Sequence, residues 1–577
     1  MKVPGSNGPL TRETEPAMPW PEVEATLTAP GKMFEIAEAE VRGARLRVWK
    51  NAPASLRDLL EISRLHGDKT FLVYEDERTT FEEHFRQVAA LAHRLMEHYG
   101  VRKGDRVAIA MRNFPEWSAA FWAAAAVGAV VVPLNAWWAT PELVYGLTDS
   151  GSKVVFVDGE RLDRLVPELA ELDLAVVVAR AEGEVPDGVA RYEDVLGEVP
   201  DGVALPAVTL EAEDDATIFY TSGTTGAPKG VLGTHRNICG NLLSLAYARE
   251  AAALRSGTSA GGSAPDTSQP SYLLSVPFFH ATGCHSVLVA NLAAGGKLVL
   301  MHKWDPERAL ELIERERVTT FGGVPTMVWQ VLQSPDFGRR DTSSVTSVGY
   351  GGAPAPPELV RRIEELLPGR IPSNGYGLTE TSSVTTVNVG IDYLRRPDSV
   401  GRPVPVVDVR VVDHDGRALP AGEVGELWIR GPNVVRGYWN RPEATAAAIT
   451  DGWLRSGDLA RLDDEGLVYI VDRAKDMLIR GGENVYCAEV EAALFEHPAV
   501  YDAAVIGIPH RELGEEVGAV VRLKEDASAS ADELRRHVGE RLAAFKVPVK
   551  VWFVDDELPR NPAGKLLKRE LRDLLLG

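Results

Sequence analysis

From Leu56 onward the chain alternates segments of helical and strand periodicity, and this alternation limits the folds open to it more than any other feature. "SLRDLLEISRLHG" has the spacing of an amphipathic helix, "TFLVYED" is extended, and "TFEEHFRQVAALAHRLMEHYG" is helical up to Gly100. "DRVAIAM", "VVVPLN" and "KVVFVD" read as strands, with "PEWSAAFWAAAAVGA" a helix among them. The pattern continues through "ATIFYTSG", "SYLLSVP", "KLVLM", "TTFGGVP" and "SVTSVGYGGAP". Strands separated by helices predict a parallel sheet covered on both faces, hence an α/β architecture.

After about Val400 the texture changes to short β-rich runs with glycine turns, which predicts a small antiparallel barrel or sheet over about 400–471. A charged break at "VDRAKD" precedes a compact α+β segment, in which "SADELRRHVGERLAAF" is a helix with Ser530 as its N-cap. The expected division is a flexible Pro-rich tail over 1–30, a large domain over 31–474 and a small domain over 475–577. A chain of 577 residues exceeds one ordinary core, as this division requires. "RSGTSAGGSAPDTSQPS" is expected to be a surface loop.

A formal charge of −21 argues against a general nucleic-acid-binding role. No window has the roughly 18 to 20 apolar residues of a membrane span, and the N-terminus lacks a signal-peptide run, so a cytoplasmic protein is expected. Cys239, Cys284 and Cys487 are too few and scattered for a disulfide framework.

Two loops carry chemistry. "YTSGTTGAPKG" places Thr221, Ser222, Thr224 and Thr225 among Gly223, Gly226 and Gly230, with Lys229 at its end. Glycines let consecutive N–H groups converge on phosphate oxygens, and the hydroxyls and ammonium add donors. A Walker loop is excluded because Gly230 follows the lysine where Ser or Thr is needed. In "SNGYGLTETS" a tyrosine ring is available to a base, and Thr379 and Glu380 supply oxygens of the kind that Mg²⁺ takes together with phosphate.

With these loops in hand, the chain resembles the adenylate-forming superfamily of acyl-CoA synthetases, luciferases and adenylation domains from about Leu56 to Leu575. The resemblance rests on "YTSGTTGAPKG", "PFFHATG", "GYGGAP", "NGYGLTE", "GELWIRGPNVVRGYW", "DGWLRSGDLA", "VDRAKDMLIRGGENVY" and "PRNPAGKLLKREL", in family order. It implies large and small domains on a hinge, and activation of a carboxylic acid with ATP, Mg²⁺ and coenzyme A.

By that resemblance the stretch from Thr221 to Lys229 handles the ATP β- and γ-phosphates. Gly351, Gly352, Ala353 and Pro354 run along the adenine, and Tyr376 stacks on it within Asn374, Gly375 and Gly377. Thr379 contacts the α-phosphate, and Glu380 is the metal ligand. Asp458 takes the ribose hydroxyls with help from Arg473. Lys565 is the catalytic ammonium, whose charge would stabilise the equatorial oxygens under attack. His280 resembles the gate between acyl pocket and thiol tunnel, Lys475 the hinge, and Gly481 and Gly482 the tunnel backbone. Gly322, Gly323, Gly349, Tyr350, Gly375 and Val384 are expected around an acyl pocket with room for a medium- or long-chain or other bulky apolar acid.

His235 and His285 read as core residues, and Cys487, where the family commonly has proline, as an apolar filler. Other readings stay open: an acyl-AMP ligase or adenylation enzyme serving a carrier-protein thiol, an aryl-acid CoA ligase, or a nucleotide sensor without catalysis. Luciferase chemistry is disfavoured by Ile479, which stands where the family's second-step lysine would be. A homodimer, and a lysine acetyltransferase acting on Lys565, are further partners to consider.

Overall fold

The computed structural model describes residues 13–221, 228–257, 269–353, 355–474, 476–481, 483–561 and 564–576. Its first sheet has nine strands in the order Arg402–Pro403, Thr386–Val389, Ile371–Tyr376, Ser347–Gly351, Thr320–Gly323, Ser271–Leu274, Lys297–Leu300, Thr70–Tyr74 and Glu77–Thr80. The six strands from Ile371–Tyr376 to Thr70–Tyr74 are parallel, as the alternating pattern predicts. A second sheet of eight strands is parallel through its centre, where Val130–Pro133, Arg106–Ala110, Ser152–Asp158 and Ala175–Ala179 lie side by side.

The helices Phe81–Glu97 and Pro115–Ala126 fill the space between the two sheets. Thr80 starts the first with a capping box to Glu83, which satisfies two orphan amide donors. Trp117, Phe121 and Trp122 are fully buried there, so Pro115–Ala126 is apolar all round because both sheets press on it. Pro306–Arg315, Pro325–Gln333 and Pro357–Leu366 cover the outer face of the nine-stranded sheet, and Thr140–Ser150 and Gly159–Leu165 that of the other.

The β-rich segment forms a five-stranded antiparallel sheet from Asp408–Val412 to Val468–Arg473. Between Arg473 and Leu478 the chain passes to another five-stranded sheet, which the helices Cys487–Phe495, Ala531–Gly539 and Lys568–Leu576 accompany. Ser530 Oγ accepts from Glu533 N at 3.2 Å, as expected of an N-cap, and the helix ends at Gly539 instead of running to Phe545.

The expectation of a flexible tail over 1–30 needs correction for residues 13–30. Trp20–Leu27 is a helix whose Val23 is wholly buried against His235–Arg255, and the Trp20 ring carries the Arg255 and Arg402 guanidinium groups at 5.2 and 5.4 Å. Apolar burial and cation–π contacts outweigh what the proline content suggests. Among the described residues, no helix is long and apolar enough to cross a membrane. Of the low-complexity stretch, residues 258–268 lie outside those described.

Candidate active site

The glycine- and hydroxyl-rich loop connects two antiparallel strands, Asp215–Thr221 and Lys229–Thr234, with Thr221 opposite Lys229. It is thus a hairpin connection and not a strand–helix turn; the helix begins only at His235. Ser222, Gly223, Thr224, Thr225 and Gly226 lie outside the described residues, as do Pro354, Lys475 and Gly482. Both stems of the loop are tied to one helix. The Tyr220 hydroxyl donates to Asp149 Oδ2 at 2.8 Å, and the Tyr145 hydroxyl donates to the Pro228 carbonyl at 2.9 Å. Arg441 pairs with Asp149 at 3.0 Å. Sequence reasoning missed this brace, because nothing in the spacing of Tyr145 and Asp149 marks them.

Strands Thr320–Gly323, Ser347–Gly351 and Ile371–Tyr376 run parallel with Gly322 opposite Gly349 and Gly351 opposite Gly375. A Cβ at Gly322 would overlap the Gly349 carbonyl, and one at Gly351 the Gly375 carbonyl, so these two glycines serve close backbone approach. At Gly375 and Gly352 a Cβ would meet open space. Ala353 follows Gly352 at the strand end, and Val384 is buried beside Gly377.

Tyr350 and Asn374 correct the sequence reading. Strand side chains alternate between faces, and these two stand opposite each other on the face that packs on helices. Tyr350 donates to the Tyr393 hydroxyl at 2.9 Å in the core, and Asn374 also bonds to Tyr393. Neither side chain is presented on the face that carries Gly349, Gly351 and Gly375.

Tyr376 and Asp458 meet across two sheets, with the hydroxyl donating to Asp458 Oδ2 at 2.6 Å. Arg473, opposite Asp458 in the strand register, reaches Oδ1 at 2.9 Å. Burial and this carboxylate push the Tyr376 phenol well above its usual range, so it stays a donor.

Thr379 and Glu380 lie in the short 3₁₀ turn Thr379–Thr381. Tyr438 donates to Glu380 Oε1 at 2.8 Å, and Val435 N to the Glu380 carbonyl at 3.0 Å. After the turn Ser382 and Ser383 hold φ of 55° and 106°, a costly conformation for residues with a Cβ. Asn241 donates to the Thr381 and Ser382 carbonyls at 3.0 and 2.6 Å, His285 Nδ1 lies 3.0 Å from Ser382 Oγ, and Ser286 and Ser383 share a bond of 2.7 Å. His285 is a core residue, as expected, but it also braces this strained turn. His235 is buried and accepts from Leu56 N at 3.2 Å.

His280 lies against Phe279, with ring centroids 4.9 Å apart, and its buried Nε2 has no protein partner among the described residues. Burial, and secondarily the Lys565 charge, lower its pKa to about 4, so the ring is neutral at physiological pH. Lys565 belongs to the small domain but its field reaches His280. Its turn is closed by Asn561 N donating to the Lys565 carbonyl at 2.8 Å and by Lys565 N donating to Asn561 Oδ1 at 2.9 Å. Gly564, with φ of 76°, lies on Val324 so tightly that a Cβ would clash. Gly481 stands in an exposed hairpin turn, with its N–H on the Leu513 carbonyl. Thus the structure brings the Lys565 turn onto the large domain, while Gly481 stays exposed.

Cys487 is buried, its thiol donates to the Asp476 carbonyl at 3.0 Å, and burial raises its pKa, as suits an inert filler. Among the described residues, no group of three or more His, Cys, Asp or Glu side chains is placed to hold a metal. Nor does any described partner engage Glu380 Oε2. One carboxylate oxygen fits a magnesium ion whose other ligands come from phosphate and water.

The family model for AMP-binding enzymes matches residues 61–439, and that for the AMP-binding enzyme C-terminal domain matches 489–565. A feruloyl-CoA synthase from Amycolatopsis sp is 38% identical over 493 residues, covering 85% of this chain and 93% of that one. The long-chain-fatty-acid–CoA ligase FadD13 of Mycobacterium tuberculosis is 37% identical over 511 residues, covering 87% and 94%. The amide bond synthetase McbA from Marinactinospora thermotolerans superposes with a TM-score of 0.78 at 30% identity, over 90% of this chain and 99% of that one.

Proposed function

This chain belongs to the AMP-binding enzyme family as an AMP-forming acid–CoA ligase, and from that premise we propose that its acid is a medium- or long-chain fatty acid or another bulky apolar acid. The observation that carries the reading is the chemistry of the pocket positions. Gly349, Gly375 and Val384 bear no charge, Gly375 faces open space, and His280 is neutral. A charged or strongly polar acid would find no counter-charge among them.

In this reading a carboxylate oxygen of the acid attacks the α-phosphorus of ATP. The bond from that phosphorus to the bridging oxygen breaks, and pyrophosphate leaves with the electron pair. Lys565 stabilises the charge gathering on the phosphoryl oxygens, and Thr379 donates to them. Asp458, oriented by Tyr376 and Arg473, holds the ribose and so places the phosphorus. Magnesium, held by Glu380, would neutralise phosphate charge. The coenzyme A sulfur, as thiolate, then attacks the acyl carbon, and AMP leaves as the carbon–oxygen bond breaks. Withdrawal of Lys565 and entry of the Gly481 turn through rotation at Lys475 would serve this second step.

The test is a panel of acetate, octanoate, hexadecanoate and ferulate with ATP and coenzyme A, read by AMP release and thioester mass. kcat/KM should rise steeply from acetate to octanoate. Acetate as the best substrate would overturn the reading. An aryl acid is the second reading, supported by the Ser286–Ser383 hydroxyl pair next to Val384 and by the feruloyl-CoA synthase relative. Ferulate ahead of both fatty acids would favour it.

A further inference from the structure

Tyr438 is engaged by two charged groups of opposite sign. Its hydroxyl donates to Glu380 Oε1 at 2.8 Å, and the Lys229 ammonium lies 5.4 Å from the centroid of its ring. The backbone fixes both contacts. Tyr438 lies opposite Val231 in the strand register, and Trp439 N donates to the Gly230 carbonyl at 2.7 Å, so the ring is held within two residues of Lys229 along the neighbouring strand. On its other side Tyr438 N donates to Thr445 Oγ1 at 2.8 Å.

An ammonium and a carboxylate that share one aromatic neighbour attract, and a direct ion pair would occupy the very groups that a magnesium–nucleotide complex needs. The tyrosine gives each a separate partner, since a cation prefers the ring face and a carboxylate accepts from the hydroxyl.

We propose that Tyr438 is a positioning residue that keeps Lys229 and Glu380 apart, leaving the ammonium available to phosphate and the second carboxylate oxygen available to a divalent cation. This rests on the ligase reading above. It assigns Tyr438 to the metal through Glu380 and to the nucleotide through Lys229.

The experiment measures Mn²⁺ binding by electron paramagnetic resonance in the full chain with α,β-methylene-ATP, together with the affinity for that nucleotide. Tyr438→Phe keeps the ring and loses the hydroxyl. It should weaken Mn²⁺ about tenfold and leave the nucleotide affinity near wild type. Tyr438→Leu should weaken both. In a Glu380→Gln background Tyr438→Phe should cost nothing further. Wild-type Mn²⁺ affinity in Tyr438→Phe, or losses that simply add to those of Glu380→Gln, would overturn the proposal while leaving the ligase reading intact. A wild-type chain that binds no Mn²⁺–nucleotide would overturn both. Unchanged melting temperature of Tyr438→Phe guards against a folding defect, and that variant with the double mutant decides the matter even where Tyr438→Leu does not fold.

Discussion

The Tyr376 hydroxyl and Asp458 Oδ2 lie 2.6 Å apart, so a ring from the nine-stranded sheet and a carboxylate from the β-rich sheet orient each other. Neither side chain can move without leaving a buried polar group short of a partner, a cost of about 1–3 kcal/mol. Tyr376→Phe should raise the KM for ATP about tenfold with little change in the KM for the acid. Asp458→Asn should raise it further. Initial rates over an ATP series decide it; equal shifts in both KM values would argue for general loosening.

Lys565→Ala should reduce acyl-adenylate formation by about a hundredfold or more, the scale on which loss of one preorganised charge at a reacting centre is felt. The same variant supplied with chemically made acyl-AMP should still form the thioester. Pyrophosphate exchange and thioester mass separate the two half-reactions. Loss of both, or of neither, contradicts the role given to this ammonium.

Two glycines on adjacent strands should behave differently. Gly322→Ala drives a Cβ into the Gly349 carbonyl and should destabilise the chain by about 2–3 kcal/mol. Gly375→Ala meets open space, so its stability should be near wild type while substrate KM rises. Urea denaturation and steady-state kinetics on both variants test the contrast.

Asp149→Asn should weaken the tie between Tyr220 and Arg441 at the base of the hairpin proposed to handle the ATP phosphates. The expected result is a KM for ATP raised about three- to tenfold, with the acid's KM unchanged. Tyr145→Phe, which frees the Pro228 carbonyl, should act in the same direction.

Acid should destabilise the fold through buried histidines. Burial lowers the pKa of His84 to about 3, and burial is the main cause lowering those of His235, His280 and His285 to about 4. Between pH 6.5 and about 4 the unfolded chain binds protons at these rings that the folded chain refuses. Stability therefore falls as pH falls through that window, by about 1.4 kcal/mol per pH unit for each ring. Asp472 acts in the opposite sense. Chiefly by burial its pKa is raised to about 6, so its contribution is present at low pH and is lost as pH rises from 3.8 through 6. The histidines outnumber it. The urea midpoint should drop clearly from pH 7 to pH 5, and a flat profile over that range would refute the balance.

Much of the fold is legible in local pattern. Thr80 with Glu83 announces the helix Phe81–Glu97, and the apolar runs 106–110 and 152–158 become central parallel strands because their residues suit burial on both faces. Ordered motifs likewise pointed to Asp458, Glu380 and Lys565, whose neighbours in sequence carry the signal. Helix Trp20–Leu27 was not legible, because its stability comes from Tyr247, Arg255 and Arg402, all more than 200 positions away.

The sequence by itself determined the α/β class and the family, and it supplied the charged groups proposed to meet ATP, since these depend on periodicity and on short motifs. Only the tertiary structure decided which face of its strand Tyr350 occupies, that Tyr376 steers Asp458, that Tyr438 stands with both Lys229 and Glu380, and that the Lys565 turn lies on the large domain while Gly481 stays exposed. The physical reason is range. Helical and strand preferences are settled among neighbouring residues, whereas hydrogen bonds between sheets and the docking of one domain on another depend on atoms that the chain brings together only when it folds.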